Sequence, residues 1–188
     1  MAQKYRVIFL AEKQNGSNEI IRSWLDTKLS QSCYLTDDFL HFIEYMLSRE
    51  GMFYRSRIVW AGNYDEPEDN EVPNLYNLCK GDGKALYYIY LELMQTRQLV
   101  RHMYNIKKLH SFLVNHTKKQ FVNMRKDKDT QNRSIHPLPL LVSEENGRER
   151  EDYLGRNHEL CGIWARDIIS VDEKEGVPVD YTELICDL

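Results

Sequence analysis

Ser111-Phe-Leu-Val-Asn-His-Thr-Lys-Lys-Gln-Phe-Val-Asn-Met124 is the stretch on which the fold class turns. Ser111–Asn115 and Gln120–Met124 are short and rich in β-branched and aromatic residues. Four polar residues, His116-Thr-Lys-Lys119, separate them. That pattern predicts two strands joined by a four-residue hairpin loop. Immediately upstream the period is helical. Leu86, Tyr90, Leu93, Val100 and Met103 share one side of a helix predicted from about Lys84 to about Asn105, after a break at Gly81-Asp-Gly83. Downstream, Ile135–Val142 is predicted to be extended, because Pro137 and Pro139 exclude a central strand. Ser143–His158 reads as a charged loop around Asn146-Gly147, Leu160–Val171 as a strand and Tyr181–Cys186 as a last strand.

The N-terminal half extends the same mixture. Tyr5–Ala11 is a predicted strand, turned at Asn15-Gly16 onto a second strand within Ile20–Leu29. Thr36 is the expected N-cap of a helix, with Asp37 and Asp38 against the positive end of its dipole. Phe39, Leu40, Ile43, Met46 and Leu47 give that helix one apolar stripe, and Gly51 is expected to end it in a left-handed conformation. Arg57–Tyr64 reads as a strand in which Gly62 marks a bulge or a close approach. Strands in succession without regular β-α alternation point to an α+β fold, antiparallel sheet or sheets packed against two or three helices. The chain is read as a single domain, 1–188, with a β-rich C-terminal half over 109–188.

A formal net charge of −4 conceals a strongly uneven distribution. Residues 1–96 carry 10 Lys and Arg against 14 Asp and Glu, residues 97–133 carry 10 against 2, and residues 134–188 carry 5 against 13. The middle segment is therefore +8 between acidic flanks. On a continuous helix Arg97, Arg101, Tyr104 and Lys108 fall on one face. Lys118 and Lys119 crown the hairpin, and Arg125 and Lys126 follow. Several cations on one surface with aromatic neighbours suit phosphate binding. The plainer reading is that the helix dipole and the acidic flanks neutralise these cations inside the fold.

Other chemistries find little support. Cys33, Cys79, Cys161 and Cys186 form no C-x-x-C pair, so a zinc site is not expected. The start of the chain places charge where a signal peptide needs an apolar run, and no stretch approaches the roughly 18 apolar residues of a membrane helix. Together these predict a cytoplasmic protein with reduced thiols and no membrane partner. Asp65, Glu66, Glu68, Asp69 and Glu71 crowd one loop but lack the spacing of a calcium-binding loop. His41, His102, His110, His116, His136 and His158 form no metal-binding pair in sequence. No nucleophile elbow or glycine-rich phosphate loop occurs, and no cofactor is implied. Trp60-Ala-Gly-Asn-Tyr64 and Trp164-Ala-Arg-Asp167 share a shape, which makes Trp60, Asn63, Tyr64 and Trp164 interface candidates, with burial in the core as the competing role.

Arg57–Tyr64, Phe112–Val122, Ile135–Leu141, Asn146-Gly-Arg148 and Trp164–Asp167 together resemble an uncharacterised protein group of gut bacteria and their phages. The motifs of that group run Trp-Ala-Gly-Asp-Tyr, Asn-His-x-Lys-Lys-x-Tyr-Val, Asn-Gly-Arg-Gly-Gly-Gly-Asp-Tyr and Trp-Ala-Arg-Asp. Asn63 departs from the first, and Glu149, Arg150 and Glu151 replace the glycines of the third. The resemblance implies a phage or mobile-element setting and no particular activity.

Three functional expectations follow. The first is a non-enzymatic interaction protein that binds nucleic acid or a nucleoprotein through the 97–133 surface, with inhibition of an RNA-guided defence nuclease as a compatible role. The second is a hydrolase or transferase using His116, His136 or Asp167, which requires those side chains to converge on one pocket. The third is a homo-oligomer in which the basic surface of one copy meets the acidic loop of another.

Overall fold

A computed structural model of the chain describes residues 3–12, 18–24, 38–79, 83–98, 100–101, 111–124, 136–144 and 158–186. Among the described residues seven strands form a single sheet in the order β2-β1-β3-β6-β4-β5-β7. They are β1 (Tyr5–Glu12), β2 (Asn18–Ser23), β3 (Ser56–Gly62), β4 (Ser111–Asn115), β5 (Gln120–Asn123), β6 (Ile168–Glu173) and β7 (Thr182–Glu183). Every pairing is antiparallel except β5 with β7, so the sheet is mixed at one edge. The helices α1 (Asp38–Leu47), α2 (Leu75–Leu78), α3 (Gly83–Gln95) and α4 (Pro137–Val142), among the described residues, make the fold α+β.

The central hairpin forms as its sequence predicts, with Phe112 opposite Asn123 and Asn115 opposite Gln120. β1 pairs with both β2 and β3, and strand alternation then divides the core. Val7, Phe9, Ile58 and Trp60 face α1, α3 and α4, whereas Ile8, Leu10, Val59 and Ala61 face α2. β3 and β6 share only two paired positions, Ser56 with Ile169 and Arg57 with Ile168. Backbone bonds from Ile58 N to Asp167 O and from Arg166 N to Ile58 O continue that seam.

Several expectations change. Within the stretch predicted to be extended, Pro137–Val142 instead form α4. Proline excludes a central strand but suits the first helical turn, where no N–H is needed and φ is already set. His136 caps that turn, its Nδ1 accepting from Leu138 N at 3.1 Å. The predicted strand over Leu160–Val171 begins only at Ile168, because His158–Leu160 form a 3-10 turn and 161–166 are turns. The last strand shrinks from Tyr181–Cys186 to two residues. The long helix predicted to reach Asn105 stops at Gln95, where Arg97 takes φ 58° and breaks it. Val100, expected on its buried side, is exposed. Gly51 does not terminate α1 in a left-handed conformation, since its φ is not positive. A Cβ there would lie 2.0 Å from the Tyr45 carbonyl oxygen, so it is close backbone approach that requires glycine. At Gly62 a Cβ would meet Gln3 Nε2 at 2.0 Å, which is the close approach read from its sequence. Thr36, Asp37, Leu25–Leu29, Met103, Asn15-Gly16 and Asn146-Gly147 lie outside the described residues.

Among the described residues four non-glycine side chains have positive φ: Arg55 (57°), Arg97 (58°), Lys119 (55°) and Arg166 (64°). Each costs roughly 1–2 kcal/mol relative to right-handed backbone, because Cβ crowds the following carbonyl.

Candidate functional site

The loop that joins β4 to β5 is held from below. Asn115, fully buried, accepts from Thr117 N and Lys118 N at 2.9 Å through Oδ1 and donates to Asp167 Oδ2 at 2.8 Å. Thr117 Oγ1 accepts from Ile168 N at 2.9 Å. These bonds fix the base of the loop and leave Lys118 and Lys119 exposed at its tip. Lys118 Nζ donates to the Ile163 carbonyl and lies 3.7 Å from Asp167, while Lys119 Nζ lies 3.4 Å from Asp180. The two signs of charge thus meet here within one molecule. The Lys119–Asp180 pair is exposed on both sides and worth about 0–1 kcal/mol, so a competing phosphate can displace it, whereas Asp167 is buried.

Arg97 and Arg101 are exposed beyond α3, where Arg97, at φ 58°, breaks the helix and Arg101 is again helical, its N donating to Arg97 O at 3.0 Å. Tyr104, Lys108, Arg125 and Lys126 lie outside the described residues. Trp60 and Trp164 are wholly buried, so they serve the core and not a surface. Asn63 closes the end of the β1–β3 pair, its Oδ1 accepting from Lys4 N at 2.9 Å and its N donating to Lys4 O. Tyr64 stays exposed.

A polar chain missed by the sequence crosses β4, β6 and their flanking turns. On β6, Ser170 and Asp172 share a face by alternation, and the register sets them opposite Val114 and Phe112. Ser170 Oγ donates to Asp172 Oδ2 at 2.6 Å and accepts from His116 Nε2 at 2.7 Å. His116 Nδ1 then accepts from Tyr181 OH at 3.2 Å. At the other end Arg49 Nε donates to Asp172 Oδ1 at 2.9 Å, and Tyr54 OH donates to the same oxygen at 3.2 Å. Burial lowers the pKa of His116, the charge of Arg55 lowers it further and Asp172 opposes them, which keeps the ring neutral. The order carboxylate–serine–histidine directs the serine proton to Asp172 rather than to the imidazole, and Ser170 is fully buried. That is not the geometry of a serine nucleophile, in which histidine takes the hydroxyl proton.

A second polar group joins α1 to α4. Glu44, fully buried, accepts from His41 Nδ1 at 2.8 Å and from His136 Nε2 at 2.9 Å. Burial pushes the carboxyl up, but the bonds from His136 and His41 outweigh it and hold the pKa at about 2. His116, His136 and Asp167 therefore belong to three separate hydrogen-bonded groups and share no partner.

The acidic loop is also engaged. Asp65 is buried, its Oδ2 accepting from Gly62 N, and Glu68 receives a two-pronged bond from the Arg166 guanidinium, at 2.8 Å from Nη1. Glu144 binds the same guanidinium. Burial pulls the Arg166 pKa down, while Glu68 and Glu144 raise it to a net increase. A cavity of about 320 Å³ lies between this loop and Arg166. No group of three or more His, Cys, Asp or Glu among the described residues is arranged to hold a metal ion. No helix among them is long and apolar enough to cross a membrane.

No protein-family model matches the chain, and neither a curated protein nor a solved structure matches it.

Proposed function

We propose that this chain is a non-enzymatic protein that binds nucleic acid, alone or within a nucleoprotein, through cations of the 97–133 segment, among them Lys118 and Lys119 at the β4–β5 hairpin tip. The observation that carries this reading is the tip itself: two adjacent lysines held out on a loop whose base is locked by Asn115 and Thr117. A locked loop loses little conformational entropy on binding, and two ammonium groups release counterions from a phosphate backbone. Lys118 also bonds the Ile163 carbonyl and sits 3.7 Å from the buried Asp167, and Lys119 sits 3.4 Å from the exposed Asp180; these contacts weaken the attraction without cancelling it. Arg97 and Arg101 add exposed cations of the same basic segment. A mobile-element setting, an anti-defence role and a reducing cytoplasm fit this reading, in which Cys79, Cys161 and Cys186 are buried.

Fluorescence anisotropy of labelled DNA and RNA across a salt series tests it. The wild type binds more weakly as salt rises. Lys118→Ala with Lys119→Ala, and Arg97→Ala with Arg101→Ala, each lower the affinity and flatten the log–log slope by about one for every phosphate no longer neutralised. Absence of binding, or a slope untouched by these substitutions, overturns the proposal.

A further inference from the structure

The stretch Val177–Leu184 carries two carboxylates, Asp180 and Glu183, and no cation. It leads to the outer edge of β5, where Thr182 and Glu183 form β7, a two-residue strand with both side chains exposed. Its bonds reach both ends of the hairpin loop. Tyr181 OH donates to Nδ1 of His116, the first loop residue, at 3.2 Å. Thr182 N donates to the carbonyl of Lys119, the last loop residue, at 3.0 Å, and Leu184 N donates to Phe121 O at 2.8 Å. The Asp180 carboxylate lies 3.4 Å from the Lys119 ammonium. One segment therefore holds Lys119 twice, by its carbonyl and by its charge.

The segment is fastened unevenly. Cys186 is buried and Leu184 packs against the core, which anchors the far end. Val179 and Ile185 are the two most exposed large apolar side chains among the described residues. A parallel pairing of two residues adds little to the hold. Asp180, exposed itself, can leave Lys119 without unseating the core beneath. A carboxylate and a phosphate compete for one ammonium through the same kind of charge-assisted bond.

We infer that Val177–Leu184 is an autoinhibitory strap: Asp180 occupies the place beside Lys119 that a backbone phosphate of a bound nucleic acid takes, and binding displaces it. This rests on the nucleic-acid reading above and adds to it the regulation of the hairpin tip. A lone anion at Lys119 only exchanges one ion pair for another. A nucleic acid presents a line of phosphates and meets other cations of the 97–133 segment as well, so the exchange at Lys119 costs it proportionately less. The strap thereby favours long polyanions over isolated ones.

The experiment makes Asp180→Asn in the full chain, which keeps the shape of the side chain and removes its charge. Thermal melting is recorded beside anisotropy titrations with single-stranded DNA, duplex DNA and single-stranded RNA of about 20 nucleotides. Asp180→Asn is expected to bind about two- to fivefold more tightly than the wild type, the range set by one exposed ion pair. The gain disappears when Lys119→Asn is added, since asparagine also tolerates the φ of 55° but carries no charge. Glu66→Gln, which removes an exposed carboxylate of the acidic loop, shows no such gain. Melting of Asp180→Asn stays within about 4 °C of wild type. If the gain survives without Lys119, or Glu66→Gln matches it, net charge is the cause and the inference is overturned. If Asp180→Asn melts more than about 4 °C lower, Asp180 serves the fold, and the inference is overturned as well. If Asp180→Asn binds as the wild type does while Lys118→Ala weakens binding, the strap fails and the nucleic-acid reading stands. If neither the wild type nor Asp180→Asn binds any of the three probes, both fall together.

Discussion

Trp60 and Trp164 bury indoles of the same size in the same core and differ in one hydrogen bond. Trp164 Nε1 donates to Gln120 Oε1 at 2.9 Å, which ties the turn before β6 to the start of β5. The Trp60 indole N–H finds no hydrogen-bond partner among the described residues. Replacing either by Phe removes comparable volume, so the difference between the two costs isolates the hydrogen bond. Trp164→Phe is expected to destabilise by about 1 kcal/mol more than Trp60→Phe, because it also strands the Gln120 carbonyl. Urea unfolding of both variants measures this, and equal costs would refute the assignment. For both rings a core role is legible in the sequence, because few side chains cost more to leave in water. The Asp172–Ser170–His116 chain is not legible there. Ser170 and Asp172 show the two-residue spacing of a shared strand face, but His116 lies 54 residues from Ser170, and only the β4–β6 register brings them together.

Elements whose signals are local form as their sequence predicts, and those decided by distant partners do not. The β4–β5 hairpin carries its own instructions in strand composition and loop length, so its boundaries emerge without knowledge of the rest. The segment before Val142 departs from its expectation because proline argues against a strand without arguing for any one alternative. His136 completes the helix by capping Leu138 N, and its ring is held in place by Glu44 of α1, 92 residues away. The end of α1 has the same character. Gly51 is recognisable in sequence as a terminator but not as a packing requirement, since the crowding comes from the folded backbone of Tyr45 and Met46. A Cβ at 2.0 Å from one carbonyl oxygen and 2.5 Å from another forces the chain after α1 to move. That chain carries Phe53, whose N donates to Met46 O and whose ring stacks on Phe9 at 4.1 Å. Gly51→Ala is therefore expected to cost about 1–3 kcal/mol, in the range of overpacked cores. An unfolding free energy within about 0.5 kcal/mol of wild type, from denaturant titration, would show that the turn shifts freely.

At the scale of the whole molecule, an acidic–basic–acidic chain folds so that its charges partly meet, at Lys118–Asp167, Lys119–Asp180 and Arg166–Glu68. Of these, Lys119–Asp180 is exposed on both sides and contributes little to stability. The charge that matters energetically is Glu44, wholly buried, bonded by His41 from its own helix and by His136 from α4, so that it joins two helices packed on one face of the sheet. Its pKa is about 2 in the folded protein, against 4.5 for an ordinary glutamate. A carboxyl whose folded pKa is depressed stabilises the native state above its unfolded pKa and loses that contribution as pH falls toward the folded value. The gap corresponds to about 3 kcal/mol, held in full near neutral pH and lost between about pH 4.5 and pH 2. Glu44→Gln keeps the shape and both histidines within reach but has no proton to gain. Its stability is expected to be lower than wild type at neutral pH and to fall less on acidification, so that the two curves converge near about pH 2 to 3. Urea titrations of both proteins at several pH values from about 7 to about 2.5 measure the convergence. Parallel curves would mean that acid acts through other carboxylates, and that the buried bridge between α1 and α4 does not set the pH range over which this fold survives.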